Sequence, residues 1–180
     1  MTFARVRALV VVGVLVVFAL VFVAVALVRD SQGGEAPSTS CPEGWPRADL
    51  KLREAKDIKI NVYNATDNVG LAESVAEDFA GRQFQVKKKG NDPKKKAVEG
   101  VALLRYGPKT VGSAQVLQAF FLGKAETEGG YDPKRQDDVV DVVLGDKFQQ
   151  LATPTEVNQS LVDLGSPQLP TGACAAETDA

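Results

Sequence analysis

Six lysines in two triplets, Lys87, Lys88, Lys89 and Lys94, Lys95, Lys96, flank the turn-forming run Gly90-Asn91-Asp92-Pro93. Ammonium groups at that density attract polyanions such as acidic wall polymers or lipid headgroups, with a force that salt screens. The same charges also suit a solvated hairpin loop that keeps a domain soluble. A second place for anion chemistry is the stretch Asn64-Ala65-Thr66-Asp67-Asn68-Val69-Gly70. It delivers the chain to a helix start, where unpaired backbone N–H groups favour negative charge. Its glycine spacing fits neither the dinucleotide fingerprint nor the P-loop, which argues against a nucleotide. Asn, Asp and Gly in such a run equally well supply turn geometry and a cap. Asn64, Ala65, Thr66 and Gly70 therefore join the six lysines as candidate ligand-binding positions.

Catalysis finds little to work with. The chain has no histidine, which removes Ser-His-Asp hydrolysis, Cys-His catalysis and histidine-ligated metal chemistry together. The acidic set Glu126, Glu128, Asp132, Asp137, Asp138 and Asp141 contains no D-x-D-x-D-G loop, and nothing fixes two carboxylates at a defined separation. These acids read as loop charges, except Asp141, which interrupts an apolar strand and is expected on the open side of its sheet. No catalytic residue, metal ligand or cofactor is assigned. Asn64-Ala65-Thr66 and Asn158-Gln159-Ser160 match the N-glycosylation sequon, which matters only in a host that glycosylates.

The elements that would position these residues follow from periodicity. Ile58, Ile60 and Val62 alternate with Lys59, Asn61 and Tyr63, the pattern of a half-buried strand. Leu71, Val75 and Phe79, with Ala72 and Ala76 beside them, give a helical stripe, and Gly81 stands where a C′ glycine belongs. Phe84 and Val86 open a second strand. Val101 to Tyr106 is a near-continuous apolar run, read as a central strand. Thr110 to Leu122 reads as a helix with Ala114, Leu117 and Phe121 inward and Gly123 as its stop. Val139 to Leu144 is another buried strand. Thr153 and Glu156 form a capping box with Pro154 at N1, and Val157, Leu161 and Leu164 form the stripe that follows. Gly165 and Pro167 end that helix. The fold class expected is α/β: a two-layer sandwich of a small mixed sheet with helices, in β-α-β-β-α-β order plus a C-terminal helix.

Ahead of this domain, residues 8–28 are 21 residues without a charge, preceded by Arg5 and Arg7 and followed by Arg29 and Asp30. That length matches the roughly 30 Å hydrocarbon core of a bilayer. The positive-inside bias puts residues 1–7 in the cytoplasm and the rest of the chain outside. A cleaved signal peptide is the rival, since Ala24-Val25-Ala26 offers a cleavage pattern. However, the apolar run continues past it without a polar region before the site. The expected organisation is a transmembrane anchor at 8–28, a flexible tether at 29–40, an ordered lead-in at 41–57, the α/β domain at 58–165 and a tail at 166–180. Trp45 in the lead-in is expected to pack on the domain, with a surface contact as the alternative.

Residues 30–180 hold 18 basic residues against 23 acidic, a net charge of −5. That balance, with export, argues against nucleic acid as a partner. Cys41 and Cys174 bracket the domain, and an even count of exported cysteines reads as a disulfide between them. Two free thiols and a bond to another chain are the alternatives.

The segments Ile60-Asn61-Val62-Tyr63-Asn64-Ala65-Thr66, Gly70-Leu71-Ala72, Gly90-Asn91, Val101 to Gly107 and Val142-Val143-Leu144-Gly145-Asp146-Lys147-Phe148 together resemble the LytR C-terminal domain family of Gram-positive, especially actinobacterial, envelope proteins. The resemblance covers residues 56–148 and extends through Leu164, as in short membrane-anchored envelope-integrity proteins. The family pattern has another apolar residue where Tyr63 stands, and the second strand here ends unusually rich in lysine. The domain is often appended to LytR-type phosphotransferases, whose catalytic domain has no room beside the anchor, tether and small domain. The resemblance therefore implies a non-enzymatic accessory role in envelope integrity, through binding a cell-wall polymer or envelope-assembly proteins. Two alternatives are a regulatory subunit docking a membrane complex through its anchor helix, and a small enzyme acting on an anionic envelope substrate.

Overall fold

The computed structural model describes residues 12, 13, 15–19, 21 and 41–176. The chain divides into two units, Met1–Ser40 and Cys41–Ala180. The described residues of the first are helical and exposed. The anchor expected at 8–28 lies mostly outside the described residues, and the tether at 29–40 wholly so. Among the described residues no helix is long and apolar enough to cross a membrane.

The second unit is built on a five-stranded sheet. Its elements are β2 (Lys59–Asn64), α1 (Leu71–Gly81), β3 (Gln85–Asn91), β4 (Ala102–Arg105), α2 (Val111–Phe120), β5 (Ala125–Glu126), β6 (Val139–Leu144) and α3 (Pro154–Leu164). A separate pair joins β1 (Arg47–Ala48) to β7 (Cys174–Ala175) in parallel. The sheet order is β3-β2-β6-β4-β5. β2 runs parallel to both neighbours, as its helical crossover to β3 requires, while β4 is antiparallel to β6 and parallel to β5. The sheet is mixed, as the sequence predicts. Its centre is β6 rather than β4, which stands one place from the edge.

Helices cover one face. Ile60, Val62, Ala102, Leu104, Val140, Val142 and Leu144 are sealed beneath them. Phe79 of α1 meets Phe84 edge-on with ring centres 5.1 Å apart, and Phe84 meets Phe120 of α2 at 5.0 Å. Phe121 continues the cluster to Phe148 at 6.1 Å. α3 starts with the capping box the sequence predicts: Thr153 N and Oγ1 donate to Glu156 Oε2, and Glu156 N donates back to Thr153 Oγ1.

Four local expectations need correction. Gly81 stays inside α1, and Gln83 two residues on takes the left-handed conformation at φ 72°. The second helix spans 111–120, because Pro108–Thr110 form a separate 3₁₀ turn and Leu122 and Gly123 already have positive φ. Trp45 is 47% exposed and does not anchor the lead-in. The buried residue there is Ala48, and Lys51 passes so close to α2 that a Cβ on Gly112 would stand 2.2 Å from its carbonyl oxygen. Finally, the first lysine triplet is not in a loop. It extends β3.

Candidate functional site

The turn after β2 is held by its own side chains. Asn64 is buried, its Oδ1 accepts from Thr66 N at 2.9 Å and Thr66 Oγ1 at 2.8 Å, and its Nδ2 donates to Asn68 O at 2.7 Å. Asn68 N in turn donates to Thr66 Oγ1. Gly70 enters α1 at φ 81°, in a conformation that favours glycine, and offers no side-chain cap. Asn64 and Thr66 thus spend their polar atoms on the turn. Their arrangement accounts for the Asn-Ala-Thr signature without a ligand.

The lysines stand on one edge of the sheet. Lys87, Lys88 and Lys89 lie on β3, whose only ladder partner among the described residues is β2, and Lys94, Lys95 and Lys96 follow on the exposed segment that leaves it. Lys89 pairs with Glu73 of α1, and Lys87 donates to Gln85 Oε1 at 3.1 Å. Among the described residues Lys88, Lys94, Lys95 and Lys96 form no ion pair. A shallow groove of about 210 Å³ runs between α1 and this edge, lined by Ala76, Ala80, Val86 and the first triplet. Lysines along an outer strand also deter edge-to-edge pairing with another sheet.

The open face of the sheet carries a network that the sequence reading does not assemble. Arg105 makes two charge-assisted bonds to Asp92, at 2.6 and 2.8 Å, with both side chains buried. Arg135 donates to both carboxylate oxygens of Asp141, at 2.9 and 3.2 Å, and to Asp137 at 2.7 Å. Asn61 Nδ2 donates to Asp141 at 2.7 Å, while Asn61 Oδ1 is buried without a partner among the described residues. Lys59 pairs with Asp138. Asp141 thus faces the open side, as expected, and the acids at 137, 138 and 141 neutralise basic neighbours. Burial and the nearby Asp141 carboxylate raise the Tyr63 phenol above its ordinary value. Among the described residues no cluster of acids, cysteines or histidines is placed to hold a metal. Alternation places 59, 61, 63 and 141 on this face from sequence, but nothing local links Arg105 to Asp92 or Arg135 to Asp141.

At the opposite edge, the end of β4 and the segment after β5 make a cleft of about 430 Å³. Tyr106 N donates to Gly130 O and Asp132 N to Tyr106 O, which aligns Tyr106 with Tyr131. Gly130 makes this approach possible, since a Cβ there would lie 1.9 Å from Leu104 O. The two tyrosine rings sit 5.6 Å apart at 51°. Gln115 and Gln118 of α2 form one wall and residues 168–171 another. Burial raises the Tyr106 phenol above its ordinary value. Behind residues 168–171 the chain is fixed twice. Cys174 is bonded to Cys41 with Cα atoms 5.9 Å apart, and Cys174 N and Ala176 N donate to Pro46 O and Ala48 O. The disulfide the sequence predicts thus holds one wall of this cleft.

Residues 57–148 match the family model LytR_C, described as LytR cell envelope-related transcriptional attenuator. The chain belongs to this family. Its LytR_C region runs from the 3₁₀ turn before β2 to the residues just past β6, so it contains the turn, the lysine edge, the open-face network and the tyrosine pair. The disulfide and α3 fall outside it. The fold is similar to a crystal structure of the soluble domain of a conserved hypothetical secreted protein from Mycobacterium marinum, with TM-score 0.52 and 24% identity over 69% of this chain and 82% of that one. No curated protein matches the sequence.

Proposed function

We propose that this LytR_C protein is a non-enzymatic, extracytoplasmic envelope protein that supports envelope integrity by binding an anionic cell-wall polymer along its lysine edge. The observation that carries the reading is the concentration of Lys88, Lys94, Lys95 and Lys96, exposed and without ion-pair partners among the described residues, on one edge of a domain whose family is envelope-related. Other basic groups of the domain, Lys59, Arg82, Arg105 and Arg135, each have a carboxylate, and the lysines elsewhere that form no ion pair among the described residues stand singly along the sequence. Unpaired ammonium groups on one edge suit a polymer with repeating negative charge. Residues 8–28 are the membrane attachment in this reading, and their length and flanking charges support it.

The test is retention of the full chain on intact cell wall and on wall stripped of anionic polymers, at low and high salt. Retention on intact wall that high salt abolishes, and that the triple variant Lys94→Gln, Lys95→Gln, Lys96→Gln reduces, is the expected result. Equal retention of variant and parent would overturn the lysine edge as the binding surface. Loss of retention on every wall fraction would favour a protein partner instead.

A further inference from the structure

We propose that the cleft between α2 and residues 168–171 is a saccharide site that takes a neutral pyranose unit. The proposal rests on the envelope reading only for the choice of a wall-type sugar as probe, and it does not use the lysine edge. The argument starts from which polar atoms in the cleft are already spent. Gln115 Nε2 donates to Leu164 O and Gly165 O, at 3.4 and 3.3 Å, Gln118 Nε2 donates to Ala125 O at 3.3 Å, and Gln168 Nε2 donates to Ser166 O at 3.2 Å. A backbone carbonyl only accepts, so each amide presents its nitrogen to the main chain. The three side-chain carbonyl oxygens remain as acceptors with no donor among the described residues.

Glu128 adds a carboxylate that has no hydrogen-bond or ion-pair partner among the described residues, and a carboxylate is an acceptor only. The lining is therefore rich in acceptors, and it contains no lysine or arginine. A ligand that fits must bring donors and must not bring negative charge. Tyr106 and Tyr131 add aromatic surface, which matches the apolar C–H faces of a sugar ring. The Tyr131 hydroxyl itself is buried without a hydrogen-bond partner among the described residues, so it is the ring and not the hydroxyl that faces a ligand. Vicinal hydroxyl groups on a pyranose supply the donors that the glutamine oxygens and Glu128 lack. A volume of about 430 Å³ is within the range of small-molecule pockets and accommodates one or two rings.

The experiment titrates the full chain, in a detergent without a sugar headgroup, with the neutral β-1,4-linked tetramer of N-acetylglucosamine, followed by calorimetry at low and high salt. The expected result is saturable binding that salt does not change. Glu128→Ala, on an exposed loop, should weaken it about tenfold, and Gln168→Ala, also exposed, should weaken it severalfold while leaving the melting curve in place. The triple lysine variant should bind the tetramer like the parent, so loss of wall retention and loss of sugar binding report separate failures. Absence of saturable binding, or binding that neither Glu128→Ala nor Gln168→Ala alters, would overturn the site. Binding of spermidine in place of the sugar would also overturn it and mark the acceptors as an amine site.

Discussion

The two faces of the sheet are made by the same strands and stabilised in opposite ways. On the helix side, Ile60, Val62, Leu104, Val140, Val142 and Leu144 exclude water together with Phe79, Phe84 and Leu117. Burial of this kind is non-directional and roughly proportional to the area removed from water. On the other side the intervening residues, Asn61, Arg105 and Asp141, are joined to Asp92 and Arg135 by bonds of defined geometry. One face therefore tolerates many apolar sequences of the right volume, whereas the other depends on particular partners. The difference also bears on function. Side chains that satisfy one another on the open face are withdrawn from ligand chemistry, and apart from the buried Asn61 Oδ1 the unspent polar groups discussed above stand at the sheet's two edges.

The strongest way to break this contrast is at the aromatic centre of the helix side. Phe79 has no exposed surface and contacts the rings of Phe84, Phe120 and Phe121. Phe79→Ala should cost roughly 3–5 kcal/mol, since it loses transfer free energy and leaves a cavity shared by both helices. Urea unfolding followed by far-UV circular dichroism measures this. A loss below 1 kcal/mol would mean that α1 and α2 collapse onto each other without the ring.

A slightly smaller effect is expected on the open face. Arg105→Met strips Asp92 of its guanidinium and leaves a buried carboxylate, at a cost of about 3 kcal/mol. The double variant Asp92→Leu with Arg105→Met should recover most of that loss, because two apolar side chains remove both desolvation penalties. A double variant no more stable than Arg105→Met alone would show that the pair is net stabilising and not mainly a device that fixes the loop after β3. A matched double substitution on the helix side has no such rescue to offer.

How far this arrangement is readable in the sequence depends on whether its cause is local. Alternation over 58–63, the stripe of Leu71, Val75 and Phe79, and the capping of α3 by Thr153, Pro154 and Glu156 depend on neighbours within one turn or one pleat. All three appear where the sequence places them. β3 is harder, because three consecutive lysines carry no alternation. They remain strand because β3 is an outer strand, where ammonium groups reach water. Gly81 is a reasonable stop by residue type, yet the turn is set two residues later at Gln83, where Phe84 has to reach Phe79. The open-face pairs are unreadable for a different reason. Asp92 and Arg105 lie on either side of a connection that crosses two strands, so their meeting is a property of the sheet order alone. The cleft is equally non-local, since Tyr106, Tyr131 and Gln168 converge only once β4, the segment after β5 and the C-terminal segment are in place.

The smallest effect is one of pH, and it separates the two faces without altering the core. The hydrogen bonds from Arg105 hold the Asp92 carboxyl below its ordinary value, outweighing the opposing effect of burial. A carboxyl depressed in the folded state leaves the unfolded chain binding more protons as the solution is acidified. Its stabilising contribution is therefore fully present above the ordinary carboxylate value, about pH 4, and is lost as pH falls through the lower folded value. Asp92→Asn deletes that titration while keeping an acceptor for Arg105. The stability gap between parent and Asp92→Asn should thus be widest at neutral pH and should narrow below about pH 4. Phe79→Ala, by contrast, should be displaced from the parent by a constant amount over the same range, because the helix side carries no titrating group at that position. Chemical denaturation of the three proteins at matched ionic strength, from neutral pH downward, provides the measurement. A gap between parent and Asp92→Asn that stays constant on acidification would remove the linkage between Asp92 ionisation and folding, and with it the electrostatic account of the open face.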